Sequence, residues 1–219
     1  MKTNRIINGD ALEELKKLPE NFAEMTLTDI PYDGVNRESG GLRVLDKGAA
    51  DIATFQLEDF LPLVQRVTKG SIYIFCGHNQ FSTIFKHFEL DKDWSVRGGC
   101  WVKTNPSPMN GEHLWLSGFE LCVFARKSKA TFNRNCENSV WRYPSGTSKS
   151  HPTEKPVDLF SYLIASSTKQ GDMVLDPCLG SGTTGIAAVK LNRRWLGIEI
   201  DANYAEIARR RTSQQGLGI

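Results

Sequence analysis

The chain has 219 residues, a formal net charge of +2 and 40% hydrophobic residues. That is enough chain to bury a substantial core, and the composition is that of an ordinary globular protein. No run of about 18 apolar residues occurs and the first ten residues carry no apolar signal core, which argues against a membrane span and against secretion.

Taken in chain order, apolar periodicity predicts alternating strands and helices. Residues 5–8 read as a short strand. Residues 11–18 read as a helix with Asp10 as its N-cap and Pro19 beyond its end. Residues 24–28 form a strand that runs straight into Asp29, and residues 57–68 have helical spacing. The unbroken apolar run at residues 71–76 suits a central buried strand. Residues 80–88 are helical, and residues 94–103 and 120–127 are strands that can pair. A helix over residues 157–168 opens with Pro156 at its first position. A strand at 173–175, a helix at 183–191, a strand at 194–199 and a helix at 202–211 complete the chain. This alternation argues for an α/β fold with a mostly parallel sheet covered on both faces. Residues 33–50, 105–118 and 128–150 lack strong periodicity and read as long loops.

The five cysteines (76, 100, 122, 136, 178) form no Cys-x-x-Cys pair. An odd, scattered set reads as reduced thiols in a cytoplasm, and no metal site is expected. From residue 121 to residue 155 the chain carries seven basic residues against two acids, Glu137 and Glu154. Such a run is either a solvated face or a phosphate-contacting surface. Arg126, Lys129, Arg134, Arg142 and Lys149 are its candidate phosphate contacts.

Two motifs carry the chemistry. Strand, then Asp176-Pro177-Cys178-Leu179-Gly180-Ser181-Gly182-Thr183, then helix is a nucleotide-binding turn. Gly180 and Gly182 allow a tight turn and close backbone approach, and the turn delivers a ligand to the helix that follows. The acid at the strand end suits a cationic head, such as the amino group of a methionine moiety, better than a pyrophosphate. Glu199 ends the next strand, where an acid can accept both hydroxyls of a ribose. The other motif, Asp29-Ile30-Pro31-Tyr32, follows a buried strand. Its carboxylate and the Ile30 carbonyl offer two acceptors to a planar amine. Pro31 keeps Ile30 extended, and Tyr32 offers a face on which a base can stack.

In combination the chain resembles the amino-group DNA methyltransferases. Their catalytic motif is Asp/Asn/Ser-Pro-Pro-Tyr, and their cofactor loop is Asp-Pro-x-x-Gly-Ser-Gly-Thr. Asn8-Gly9-Asp10-Ala11-Leu12, His151-Pro152-Thr153-Glu154-Lys155-Pro156 and Gly197-Ile198-Glu199-Ile200-Asp201 are also similar to family motifs. The catalytic motif precedes the cofactor loop, an order the family calls its beta group.

The resemblance implies a single catalytic domain over residues 1–219 with a Rossmann-like, circularly permuted sheet, mostly parallel with one antiparallel strand. It implies S-adenosylmethionine as cofactor and double-stranded DNA as partner, with a short DNA-contact segment within residues 105–150. That segment is small for sequence readout, so a short recognition sequence is expected, with a homodimer or partner subunit as another source of contacts. By position, Asp29, Ile30, Pro31 and Tyr32 hold and activate the target amine. Asp176, Gly180, Ser181, Gly182 and Thr183 line the cofactor, Glu199 takes the ribose, and His151, Thr153 and Lys155 lie near the methionine end. Asp10 is assigned to the target base or the cofactor, with a plain N-cap role as the alternative, while Asp201 reads as a helix N-cap. Asp in the catalytic motif favours adenine N6, with cytosine N4 or a non-catalytic DNA-binding relative as alternatives. Ile30 departs from the family's first proline, and little effect is expected because Pro31 still restrains it.

Overall fold

A computed structural model describes residues 4–32, 55–108, 111–146 and 154–216. In chain order the elements are β1 (Arg5–Asn8), α1 (Ala11–Lys17), β2 (Ala23–Asp29), α2 (Leu57–Val67), β3 (Thr68–Cys76), α3 (His78–Glu89), β4 (Trp94–Lys103), β5 (Phe119–Lys127), β6 (Val140–Tyr143), α4 (Val157–Ser167), β7 (Met173–Asp176), α5 (Thr183–Lys190), β8 (Arg194–Glu199) and α6 (Ala202–Gly216). The strands make one sheet in the order β1-β8-β7-β2-β3-β5-β4-β6. Neighbours are parallel except that β5 runs antiparallel to both β3 and β4.

Strand side chains alternate between faces, and here each strand feeds two cores. Ile72, Ile74 and Cys76 of β3 join Leu15, Phe60, Leu61, Val64, Ile84 and Phe88 on the face covered by α1, α2 and α3. Tyr73 and Phe75 of the same strand join Leu159, Phe160, Leu163, Ala187 and Ala208 on the face covered by α4, α5 and α6. This double burial is why the run at residues 71–76 is apolar throughout. Each large side chain so buried contributes on the order of 1.5–3 kcal/mol.

The permutation is visible at the sheet edge. β1, the first strand, lies parallel to β8, the last, with Asn8 opposite Glu199. Asn8 Nδ2 donates to the Glu199 carbonyl at 2.9 Å and to the Ile200 carbonyl at 3.0 Å. The two ends of the chain therefore close one sheet.

Several expectations need adjustment. Residues 128–150 are not wholly irregular, because β6 lies within them. Trp141 turns inward and is buried, and Gly99 across the pairing leaves it room, since a Cβ there would come within 2.5 Å of the indole. Thr68 opens β3 rather than ending a helix. Pro156 has extended backbone and is the N-cap of α4, one residue before the helix begins. Lys149, His151, Thr153 and the loop at residues 33–50 lie outside the described residues.

Candidate active site

The carboxyl ends of the parallel strands place Gly9, Asp29, Cys76, Asp176 and Glu199 along one edge of the sheet. A cavity of about 430 Å³ opens there, lined on one side by Asp29, Ile30, Pro31 and Tyr32 and on the other by Asp176, Gly180, Ser181, Thr183 and Glu199. That volume suits a small-molecule site. The motifs at residues 29–32 and 176–183 thus share one cleft.

On the first wall, β2 carries Asp29 to the sheet edge, and the Ile30 N–H continues the ladder by donating to the Phe75 carbonyl at 3.2 Å. The Ile30 side chain is 2% exposed and packs into the core. Gln80 of α3 fixes the next residue. Its amide donates to the Pro31 carbonyl at 2.9 Å, and its oxygen accepts from the Gly77 N–H at 2.9 Å. The backbone of residues 29–32 is therefore tied to β3 and α3.

Lys155 reaches the same point from just before α4. Its ammonium pairs with Asp29 Oδ2 and with Glu120 Oε2, the latter at 2.8 Å, and donates to the Tyr32 hydroxyl at 3.3 Å. Tyr32 in turn donates to Glu120 Oε2 at 2.9 Å. Lys103 holds the other Glu120 oxygen at 2.8 Å. Three rings enclose the ammonium, Tyr32 at 5.3 Å, Phe75 at 5.7 Å and Trp101 at 5.9 Å. Asp29 Oδ1 is sealed from solvent and has no hydrogen-bond partner.

The electrostatics follow from burial and pairing. Burial raises the Asp29 carboxyl above its ordinary range, with Lys155 pulling the other way. Burial also works against Glu120, but Lys155 and Lys103 outweigh it and hold that carboxyl at about 2. Burial disfavours the Lys155 charge, yet Asp29 and Glu120 raise its pKa, so it stays protonated. Burial pushes the Tyr32 phenol well up and the Cys76 thiol to about 12, so neither supplies an anion.

On the second wall, Asp176 ends β7. It accepts from the Thr184 hydroxyl at 2.5 Å and from the Cys178 N–H at 3.1 Å. Burial pushes its carboxyl up to about 7. Glu199 ends β8 and accepts from the Gly180 N–H at 2.7 Å and the Asp201 N–H at 2.8 Å, which shapes the loop. Its pKa is raised by burial. Gly180, with φ +55°, faces open space, since a Cβ there meets nothing within 4 Å. Gly182 differs. It has φ +95° and packs on α6, where a Cβ would lie 2.9 Å from that of Ala208. Of the two glycines expected at the ligand, Gly180 lines the cavity and Gly182 packs behind the loop.

Asp10 caps α1 by accepting from the Glu13 N–H at 3.0 Å, and its neighbours Gly9 and Ala11 line the cavity. Asp201 caps α6 through the Asn203 and Tyr204 N–H groups. The basic candidates are dispersed. Arg126 pairs across from Ser71, at the end of β3 far from the cleft, and hydrogen-bonds the Ala130 carbonyl. Lys129 lines a separate depression with Glu24 and Lys69. Arg134 stacks on Tyr162 and donates to Ser166. Arg142 is exposed on β6, three residues before Ser145 of the cavity wall.

Four contributors carried no local sequence signal: Glu120, Lys103, Gln80 and Arg211. Arg211 of α6 donates to the Ser181 carbonyl at 2.8 Å and hydroxyl at 2.6 Å, and also pairs with Glu154. It thereby ties the cofactor-type loop to the residue before Lys155.

Comparison with known proteins agrees with this geometry. Residues 23–210 match the N6/N4 methyltransferase family described as DNA methylase. The chain is 30% identical to the type II methyltransferase M2.DpnII of Streptococcus pneumoniae, over 94% of this chain and 88% of that protein. It is 29% identical to M2.MboI of Moraxella bovis, over 96% of this chain and 88% of that protein. The structure of the M1.HpyAVI-SAM complex superimposes with a TM-score of 0.74 at 29% identity, covering 94% of this chain and 98% of that one. With the catalytic motif ahead of the cofactor loop and the first strand beside the last, the chain belongs to the DNA methylase family as a beta-group amino methyltransferase.

Proposed function

We propose that this protein methylates the N6 amine of adenine in double-stranded DNA with S-adenosylmethionine as cofactor. The observation that carries the reading is that Asp29, paired with Lys155 and with one carboxylate oxygen unpartnered, lines the same cleft as the Asp176-to-Thr183 loop.

The residues present fit that cofactor. Gly180 leaves open space at the loop, and Glu199 ends the strand where a ribose is expected. Asp176 offers a buried carboxylate to a cationic amino group. Gly9 and Ala11 bracket the end of the pocket, with Asp10 between them, and Ser181 and Thr183 complete the loop wall. We assign His151 and Thr153 to the methionine end by motif position alone. When bound, the cofactor supplies an electrophilic methyl group carried on a sulfonium.

The chain's own residues position the amine. An adenine stacked in duplex DNA hides its amine, so the base must leave the helix, at a cost of a few kcal/mol. Tyr32 offers its face for stacking. The Asp29 carboxylate and the Ile30 carbonyl accept the two amine hydrogens, which biases the nitrogen toward a tetrahedral, nucleophilic form. Gln80 holds the Pro31 carbonyl, so the motif keeps its shape before the base arrives. Catalysis then comes from alignment and preset polar groups rather than from a strong base. Asp in this motif supports adenine over cytosine.

Among the described candidates, Arg142 is the DNA contact nearest the cleft, and Lys149 follows it in sequence. Little chain is available for base readout, so the recognition sequence is short, or a second subunit shares the duplex. Incubation with duplex DNA and tritiated cofactor, followed by nucleoside analysis, tests the function. Label in N6-methyladenine is expected. Label in N4-methylcytosine, or none, rejects the adenine reading.

A further inference from the structure

We propose that Glu120 is a positioning residue for methyl transfer, acting through Lys155 and Tyr32 to keep the Asp29 carboxylate open to the target amine. The inference rests on the methyltransferase reading above and extends it to a residue outside every motif that the sequence displays.

Glu120 stands at the start of β5, the antiparallel strand. Register brings it to the cleft, opposite Trp101 on β4 and one residue from Leu121, which faces Cys76 at the end of β3. Its side chain is 17% exposed and Lys155's is 5% exposed, so the pair works in a desolvated setting. One Glu120 oxygen takes Lys155 at 2.8 Å and the Tyr32 hydroxyl at 2.9 Å, while the other takes Lys103 at 2.8 Å. Asp29 Oδ2 is the second anionic partner of Lys155. Four charges therefore alternate along the cleft floor: Lys103, Glu120, Lys155, Asp29.

The alternation has a consequence for Asp29. An ammonium shared between two carboxylates is held between them and occupies one Asp29 oxygen, leaving Oδ1 without a partner. Without the Glu120 charge, Lys155 has Asp29 as its one anion. In a low-dielectric site that attraction strengthens, and the ammonium, with three donors, competes with the substrate amine for both oxygens. Lys103 and Lys155 then repel without an anion between them. A neutral side chain there keeps at most one acceptor oxygen for the three donors, Tyr32, Lys103 and Lys155, that share the two Glu120 oxygens, so the ring intended for base stacking is held less firmly. All of these effects fall on the amine-holding geometry. The cofactor wall of Asp176, Gly180 and Glu199 has its own hydrogen bonds and makes no contact with Glu120.

The test compares Glu120→Gln, Glu120→Asp, Lys155→Met and the Glu120→Gln/Lys155→Met double variant. Steady-state methylation of duplex DNA is measured together with S-adenosylmethionine affinity by calorimetry. Glu120→Gln is expected to lower kcat roughly ten- to hundredfold, the rate equivalent of a charged hydrogen bond, with cofactor affinity unchanged. Glu120→Asp, which keeps the charge, is expected to retain more activity than the isosteric Gln. The double variant is expected to lose no more than Lys155→Met alone, because coupled residues are not additive. Wild-type kcat in Glu120→Gln, or Gln outperforming Asp, or losses that multiply in the double variant, would each overturn the inference. If Lys155→Met does not fold, the Asp-against-Gln comparison decides. Wild-type protein without methyl transfer sinks the underlying reading as well, whereas active wild type with an indifferent Glu120 sinks this inference alone.

Discussion

Lys155 and Asp29, 126 residues apart in the chain, form an ion pair on the cleft floor. The contact joins the segment before α4 to the end of β2. It satisfies one Asp29 oxygen and leaves the other unpartnered. A free acceptor at this place is what a planar amine requires. Asp29→Ala is therefore expected to abolish methyl transfer while cofactor affinity changes far less, since the hydrogen bonds that shape the Gly180 loop come from Asp176 and Glu199. Retained activity in this variant would remove Asp29 from its assigned role.

Asp176 predicts a pH dependence of cofactor binding. Burial raises its carboxyl from the usual range to about 7. The sign is that of a raised acid. The neutral form is favoured by folding, so the stabilisation from this group is complete at low pH and is lost as pH rises toward and through about 7. The difference amounts to a few kcal/mol in order of magnitude. A cationic amino group beside Asp176 favours the carboxylate, so binding releases a proton. S-adenosylmethionine affinity is expected to rise with pH up to about 7 and then level off. Asp176→Asn is expected to bind weakly with a flat profile and to melt higher than wild type at pH 8 in the absence of cofactor. Calorimetric titration between pH 5.5 and 8.5 checks both.

Asp10 has an observed role as a helix cap and a proposed one at the cofactor, and one substitution can separate them. Its carboxylate caps α1, and Gly9 and Ala11 on either side face the cavity. Asp10→Ala is expected to cost about 1 kcal/mol of stability through the lost cap. Asp10→Ser keeps a capping oxygen and is expected to restore melting but still bind S-adenosylmethionine more weakly, because the charge is gone. Equal affinity in Asp10→Ser would reduce Asp10 to a cap.

The dispersal of the basic residues makes a prediction about DNA. Arg142→Ala is expected to weaken duplex binding and to lower the salt slope of log K by about one. Arg126→Ala is expected to leave both unchanged, since Arg126 sits at the far end of β3 and is committed to Ala130 and Phe132. Fluorescence anisotropy with a labelled duplex at several salt concentrations distinguishes the two. A matching loss in both variants would mean that DNA covers the far end of the sheet as well.

What the sequence displays and what it hides have physical causes. The buried parallel strands announce themselves because both faces are covered, as in Ser71 to Cys76. The cofactor-type loop is legible because its residues are contiguous. β6 is hidden by its four residues and by a neighbourhood of Asn, Ser and Arg, and its one firm signal is the inward Trp141. Glu120 and Lys103 are hidden for a different reason. Their meeting with Lys155 depends on the β4–β5 register, a long-range pairing with no local trace. The same antiparallel strand breaks up the basic segment. β5 begins at the cleft with Glu120 and carries Arg126 six residues further, about 20 Å at roughly 3.4 Å per residue, so the charge run does not face the cleft as one surface.

Ile30 tests the one departure from the family motif. Proline there is the family's choice, yet in this chain the Ile30 N–H donates to Phe75 at 3.2 Å and the side chain is 2% exposed in the core beneath the cleft. Proline has no N–H to donate. It would also leave part of the isoleucine's volume unfilled, and a lost buried methylene alone costs about 1 kcal/mol. Pro31 already restrains Ile30 to extended backbone, so ring stiffness is expected to add little at the carbonyl proposed to accept from the amine. Ile30→Pro is accordingly expected to lower the melting temperature without raising kcat. A strong rise in turnover would show that Ile30 leaves the motif too loose and that its backbone ties to β3 do not set the geometry of the amine site.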